Sequence, residues 1–305
     1  MQKISKKKKT IIATAAVLAA MIAVIAVIIA IGKSGDDNIS TLADAGINEP
    51  DSLTLISHRG MNILAPENTL EAIQKSAELG YTHVEFDIRA TKDGVWMLMH
   101  DEDIERTTNG SGKVSELTCK QILSFNVDKN CNGYENVYVP LLDEALSLCG
   151  QLGLHPVIEI KQSGTDFIES LLNYIGQRTG DCTVITFDRE QAELVAKLIE
   201  ERTTSLFDSY VEIYWLTSDL SNETLERATD NPDIGVSFNG NRAGSQEEIN
   251  KFTEAGIKLA AWTVDKPERL SELFSLGIKT VTTNSITPNG ISSDPKQEVT
   301  TNARP

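Results

Sequence analysis

From Leu53 to Thr283 the chain alternates short β-branched apolar runs with amphipathic stretches of helical period, a rhythm that restricts it to a parallel α/β architecture. Strands are predicted at 53–57, 83–89, 95–100, 156–160, 183–187, 212–216, 234–237, 258–263 and 279–283. Helical stretches follow at Asn68–Gly80, Glu190–Glu200, Glu223–Ala228, Ser245–Ala255 and Pro267–Leu276. In the first of these, Asn68 and Glu71 suit a cap and its reciprocal partner, and Gly80 a stop. Over roughly 235 residues the natural closure is a TIM-type (β/α)8 barrel, which needs one strand fewer than this count. Asp93-Gly94 is a hairpin turn, so 95–100 reads as a return strand outside the barrel. A turn centred between Lys92 and Asp93 sets Glu85 opposite His100, with a slip of one or two residues left open by the turn type. Residues 101–155 break the rhythm and read as a small insertion subdomain over the barrel mouth.

The N-terminus follows a different pattern. Ile11 to Ile31 is an uncharged run of 21 residues. As a helix it would be roughly 31 Å long, the thickness of a bilayer core. Lys3, Lys6, Lys7, Lys8 and Lys9 precede it, and Asp36 and Asp37 follow. The expectation is a cytoplasmic basic tail (1–10), one transmembrane helix (11–31) and a tether (33–51). A barrel outside the cell membrane (52–290) and a disordered polar tail (291–305) complete it. A cleaved signal peptide is the rival, but its apolar region ordinarily spans only about 7–15 residues. Without the leading lysines the chain holds 28 − 5 = 23 basic against 44 acidic residues, or −21. Such a body repels nucleic acid, so binding a phosphate ester requires a local cation cluster or a metal ion. Cys119, Cys131, Cys149 and Cys182 form no Cys-x-x-Cys pair, which disfavours zinc; Cys119–Cys131 is the most local of the possible disulfides.

Chemistry concentrates at the predicted C-terminal strand ends, where barrels place reactive groups. Ser57-His58-Arg59-Gly60 ends the first strand, with a proton-transfer group beside a bidentate phosphate ligand. Glu85 and Asp87 share one strand face, while Val84, Phe86 and Ile88 bury the other. Two like charges on a buried face need a neutralising cation. Glu159-x-Lys161 adds a third carboxylate and an amine that faces the substrate or forms an ion pair. Such hard oxygen ligands favour one divalent cation, Mg²⁺ or Ca²⁺. His100-Asp101 ends the return strand, so His58 and His100 fall at the mouth as a candidate acid/base pair, whereas His83 and His155 precede their strands and read as structural. Trp262 either walls the pocket or fills the core.

In order, His58-Arg59-Gly60, Pro66-Glu67-Asn68-Thr69, Glu85-Phe86-Asp87, Thr91-Lys92-Asp93-Gly94, Met99-His100-Asp101, Arg106-Thr107-Thr108-Asn109-Gly110, Ile158-Glu159-Ile160-Lys161 and Trp262-Thr263-Val264 resemble the glycerophosphodiester phosphodiesterase family. The resemblance spans roughly residues 53–288. It implies a cation on Glu85, Asp87 and Glu159, catalysis by His58 and His100, and phosphate contacts from Arg59 and Lys161, with Glu67 orienting Arg59. Attack by the glycerol 2-hydroxyl or by water would then give glycerol 3-phosphate and an alcohol. Thr283-Asn284 departs from the family's usual Thr-Asp, which puts alcohol recognition in question. The expected substrate is a small or lipid-derived glycerophosphodiester. Exposed apolar residues on the insertion would favour lysophospholipid over a small ester or an envelope polymer. An inactive envelope-binding barrel would be expected to lose a histidine or a carboxylate, and all five are present.

Overall fold

A computed structural model describes residues 39–48, 53–127, 133–202 and 210–289. The expected basic tail, membrane helix, C-terminal tail and Cys131 lie outside the described residues. Among the described residues no helix is long and apolar enough to cross a membrane.

All nine expected strands form. They are β2 (Thr54–Ser57), β3 (His83–Ala90), β4 (Trp96–Leu98), β5 (His155–Ile160), β6 (Cys182–Thr186), β7 (Val211–Thr217), β8 (Gly235–Asn239), β9 (Leu259–Trp262) and β10 (Thr280–Thr283). The order β2-β10-β9-β8-β7-β6-β5-β3 is closed by a β2–β3 pairing, giving eight parallel strands in a barrel. β4 pairs antiparallel with β3 as a return strand, and its Met97 makes a single antiparallel bridge to Leu141. The five expected helices are α1 (Leu70–Glu78), α5 (Arg189–Arg202), α6 (Asn222–Thr229), α7 (Gln246–Glu254) and α8 (Pro267–Ser275). The structure adds α2 (Cys119–Ile122), α3 (Leu142–Leu152) and α4 (Ile168–Gly176).

Four local expectations are corrected. The cap of α1 is Thr69, whose hydroxyl accepts from Ala72 N at 3.2 Å; Asn68 is one residue outside and is turned toward the barrel. The hairpin pairs Arg89 with Met97 and Ala90 with Trp96, one residue away from the expected register. Its loop has three residues, because Gly94 takes a left-handed φ of +75°, and a three-residue hairpin with a bulge glycine moves the centre onto Asp93. Met99, in place of Leu98, thereby comes opposite Asp87 and bonds to its carbonyl at 3.0 Å, and His100 is no longer directly opposite Glu85. The insertion is shorter than 101–155, since α3 packs against α1 and β5 as a barrel helix. The insertion has its own core, in which Ile104, Val114, Ile122, Val127, Val137 and Val139 close over Met97 and Met99. Finally, part of the expected tether belongs to the domain. Ser40–Thr41 form β1, parallel to β11 (Ile286–Thr287), and Leu42, Ala45 and Ile47 are buried. Their spacing puts three apolar side chains on one side of a compact turn, which a reading of the polar residues alone overlooks.

Alternation along the strands fills the barrel. Ile56, Val157, Ile185, Tyr214, Leu216 and Ala260 point inward, with Trp262 against them. Val84, Phe86 and Ile88 point out under the helices and are fully buried.

Candidate active site

Register alone brings the acidic residues together. β3 and β5 pair His83 with His155, Glu85 with Val157 and Asp87 with Glu159. With period-two alternation and strands about 4.8 Å apart, the inward column rises from two histidines at the N-terminal end to two carboxylates near the mouth. His83 and His155 stack at 4.6 Å between ring centroids, at the end of the barrel away from the mouth. Glu85, Asp87 and Glu159 are all buried, and each offers a carboxylate oxygen within 4.8 Å of the others.

The loop after β2 wraps this cluster. Arg59 adopts a left-handed φ of +56°, rare for a residue with a side chain. Its backbone N–H thereby donates to Glu85 Oε2 at 2.7 Å while its guanidinium Nε lies 3.3 Å from Asp87 Oδ2. Gly60 follows with φ +71° and donates its N–H to the Glu85 carbonyl. Glu67 holds the far end of Arg59, accepting from Nη1 at 2.9 Å. Lys161 Nζ pairs with Glu159 Oε1 at 2.5 Å and lies 3.5 Å from Asp87 Oδ1. Glu85 Oε1 and Asp87 Oδ1 accept no hydrogen bond among the described residues, and Glu159 Oε1 is met by the Lys161 ammonium. Three buried carboxylates this close together, set against two cations, are the chemistry a hard divalent cation satisfies, so the residues present fit such an ion.

The protonation pattern agrees. Burial, then the Asp87 and Glu159 charges, pushes Glu85 well above the usual carboxylate range. Burial and the Asp87 charge push Glu159 up to about 7. Burial alone would raise Asp87, but Arg59, Lys161, His100 and the Asn68 hydrogen bond together hold it below its ordinary value.

The structure brings His58 and His100 to this cluster from different loops. Burial lowers the His58 pKa, the Arg59 cation lowers it further, and the Asp87 charge opposes both. Burial lowers His100 as well, against Asp87 and the hydrogen bond from its Nδ1 to Asp101 Oδ1 at 2.6 Å. Arg106, from the insertion, bonds to Asp101 and to both Glu67 oxygens, at 2.7 and 2.8 Å. A chain of charge from Arg59 through Glu67, Arg106 and Asp101 thus reaches His100. Trp262 donates its indole N–H to Ser237 O and meets Phe187 edge to face at 5.3 Å. It therefore satisfies both readings, core below and wall above. Phe187 is half exposed and stands 5.5 Å from Lys161 Nζ.

Several residues at the site carried no clear signal in the sequence. Asn68, also left-handed at φ +55°, donates to Asp87 Oδ2 at 2.8 Å and accepts from Asp87 N at 3.0 Å. An asparagine just ahead of a good cap residue could have hinted at this, since asparagine tolerates that backbone. Phe187, Asn62 and Asp265 had no signal beyond following a strand end, and Arg106 stood only within the Arg106–Gly110 motif, with no role attached. Asn284, noted only as a departure, bonds to His58 at 2.7 Å and so bears on the histidine.

Fold and site together define a (β/α)8 barrel with an acidic, ion-ready pocket at the C-terminal mouth, flanked by two histidines. The glycerophosphoryl diester phosphodiesterase family model matches residues 58–287, and the chain belongs to that family. Among its relatives, the Caldanaerobacter subterraneus glycerophosphodiester phosphodiesterase is 27% identical over 75% of this chain and 93% of its own length. Mouse glycerophosphodiester phosphodiesterase 1 is 41% identical over 36% of this chain, and the match spans only 34% of the mouse protein. The matches to its rat, human and bovine counterparts likewise span about a third of those proteins (31%, 38% and 34%). The barrel superposes with a TM-score of 0.68 on an Oleispira antarctica phosphodiesterase in complex with the product sn-glycerol-3-phosphate, at 21% identity over 76% of this chain and 92% of that one.

Proposed function

We propose that this domain is a metal-dependent phosphoric diester hydrolase that cleaves glycerophosphodiesters to glycerol 3-phosphate and an alcohol. The observation that carries the reading is the cluster of three buried carboxylates, Glu85, Asp87 and Glu159, with ligand oxygens within 4.8 Å of one another. A divalent cation there supplies charge neutralisation for the non-bridging phosphate oxygens. Arg59 and Lys161 supply fixed positive charge beside it and orient the ester. His58 and His100 divide the proton transfers, one taking a proton from the nucleophile and the other giving one to the leaving alkoxide. Glu67 keeps Arg59 in place, and Trp262 with Phe187 offers an apolar wall to a carbon skeleton.

Family membership and the relatives' names support the substrate class. A lysolipid substrate has less support, because Tyr138 is the one large exposed apolar residue among the insertion's described residues. The 21-residue apolar run at 11–31 supports attachment to the cell membrane with the barrel outside.

The deciding experiment is turnover of a panel of glycerophosphodiesters and lysophospholipids, with chelator, Mg²⁺ or Ca²⁺. Turnover of a glycerophosphodiester that chelation abolishes and one of the two ions restores is expected. Turnover indifferent to chelation overturns the metal reading, and preference for the lysolipids overturns the substrate reading.

A further inference from the structure

The two histidines of the site are held by different chemistry. His100 gives its Nδ1 proton to a carboxylate, Asp101. His58 Nδ1 lies 2.7 Å from Asn284 Oδ1, a neutral amide. The carboxylate missing from position 284 stands one residue further out. Asp265, in the loop after β9, accepts from Asn284 Nδ2 at 2.8 Å and from Asn284 N at 2.7 Å. It also accepts from the Thr283 hydroxyl at 3.1 Å.

Donor and acceptor inventory fixes the rest. An ionised carboxylate has no proton to give, so the face of the Asn284 amide toward Asp265 must be its NH₂. Its Oδ1 therefore faces His58. Asn62 reaches the same oxygen through Nδ2 at 2.6 Å. That nitrogen also donates to the His58 carbonyl at 2.8 Å, and a carbonyl only accepts, so the Asn62 amide is oriented as well. With Asn284 Oδ1 an obligate acceptor, His58 Nδ1 must carry the proton. Nε2 is then the one ring nitrogen left to exchange protons with a substrate.

We infer that Asn284, oriented by Asp265, is a positioning residue that locks His58 in the Nδ1–H tautomer and aims a bare Nε2 at the reacting ester. The inference deepens the acid/base role given to His58 and rests on it for its kinetic consequence; the tautomer itself does not. The arrangement also ties three barrel loops together, since Asp265, Asn284 and His58 follow β9, β10 and β2, and His58 N bonds to Thr283 O. A caged amide between acid and imidazole keeps the geometry of a carboxylate–histidine pair while placing no charge against the ring.

The test uses the full-length chain with ¹⁵N-labelled histidine, in which four histidines give a readable ¹⁵N–¹H correlation spectrum. His58 is assigned by the peak that vanishes in His58→Gln. Wild type should show His58 as the neutral Nδ1–H form. Asp265→Asn frees the Asn284 amide to turn and should mix the tautomers. Asn284→Ala should do the same and lower kcat on glycerophosphocholine roughly 10- to 100-fold, the usual loss when a partner that orients a functional histidine is removed, with KM within about twofold. Asn284→Asp alone sets two carboxylates face to face and should be impaired. The exchange Asn284→Asp with Asp265→Asn restores one donor and one acceptor between the positions and should recover both tautomer and kcat. An Nε2–H form in wild type overturns the inference, as does an Asn284→Ala protein with unchanged tautomer and kcat, or an exchanged pair worse than Asn284→Asp alone. If Asn284→Ala fails to fold, the wild-type and Asp265→Asn spectra decide. If wild type turns over no glycerophosphodiester, the activity reading falls while the spectra still test the lock.

Discussion

Replacing Gly60 by alanine tests whether the loop carrying His58 and Arg59 is held by steric necessity. Gly60 has φ +71°, and a Cβ built there meets Ala72 Cβ at 2.6 Å and the Ala72 carbonyl carbon at 2.7 Å. Both are part of α1, one of them backbone, so no side chain can swing aside. A left-handed alanine costs about 1–2 kcal/mol, and overpacking adds about 1–3 kcal/mol. A stiffer unfolded chain offsets about 0.4–1 kcal/mol. The net expectation is a loss of about 3 kcal/mol, or roughly 6–12 °C in Tm for a domain of this size. Gly94 is the internal control, because it has φ +75° with nothing within 4 Å of its added Cβ. Gly94→Ala should lose only the conformational part, about 1 kcal/mol. Denaturant midpoints of both variants, with circular dichroism to confirm the native fold, make the comparison. Gly60→Ala should also lose turnover, since the shift falls on the residues next to it. Equal stability of the two alanine variants refutes the steric argument.

Other expectations follow from the same geometry. His58→Ala and His100→Ala should each lose turnover by two to four orders of magnitude, on the order of the value of a positioned acid or base, with Tm nearly unchanged; near-normal rates in either would remove that histidine from the mechanism. Asn68→Ala removes both bonds to Asp87 and should weaken cation affinity, read by calorimetry, on the order of 10-fold. Under chelation, Glu159 has a folded pKa of about 7 against 4.5. The folded state then binds the extra proton, so stability is greatest below 4.5 and falls as pH rises through 7. Relative to Glu159→Gln, that difference should reach about 3 kcal/mol by pH 8, and its absence in paired denaturation curves at pH 5 and 8 would refute the assignment. Cys149 and Cys182 are buried thiols pushed up to about 12, so alkylation at pH 8 should spare both until the domain is unfolded, as peptide mapping would show.

What could be read from the chain alone was periodic. Strand existence, barrel closure and the shared face of Glu85 and Asp87 all follow from alternation, and the pairing of Asp87 with Glu159 supplies the third acid without any special residue. The misses share a different cause. The hairpin slipped because one left-handed glycine changes the loop length by a residue, and nothing in Asp-Gly itself distinguishes a two-residue from a three-residue loop. Asn68 reads as a cap because the residue types that cap helices are also those that orient carboxylates. Asn284, Asp265 and Asn62 lie far apart in sequence and meet only because consecutive barrel loops adjoin, so no spacing rule could relate them. Arg106 and the hydrophobic core of the insertion belong to irregular chain, where periodicity has nothing to count.

The charges in the pocket set what a bound cation would do for an anionic ester. Glu85, Asp87 and Glu159 bring three carboxylates; Arg59 and Lys161 bring two cations, both in contact with Asp87. With every acid ionised the buried balance is −1, in a domain whose surface is already strongly acidic, and a phosphodiester would be repelled. Without a metal the protein meets this by protonation, which is what the raised Glu85 and Glu159 express. A bound divalent cation reverses the balance to +1, and a singly charged phosphodiester restores neutrality. Two consequences follow. Cation binding near pH 7 should release about one proton, because the ligands must ionise to coordinate. Ester binding should tighten when the cation is bound. Calorimetric titration of Mg²⁺ or Ca²⁺ in two buffers of different ionisation enthalpy measures the proton directly, and a non-hydrolysable phosphodiester analogue titrated with and without the ion measures the order. Zero proton release would mean that Glu85 and Glu159 are already ionised without the ion, and analogue binding of equal strength under chelation would mean that Arg59 and Lys161 hold the ester without one.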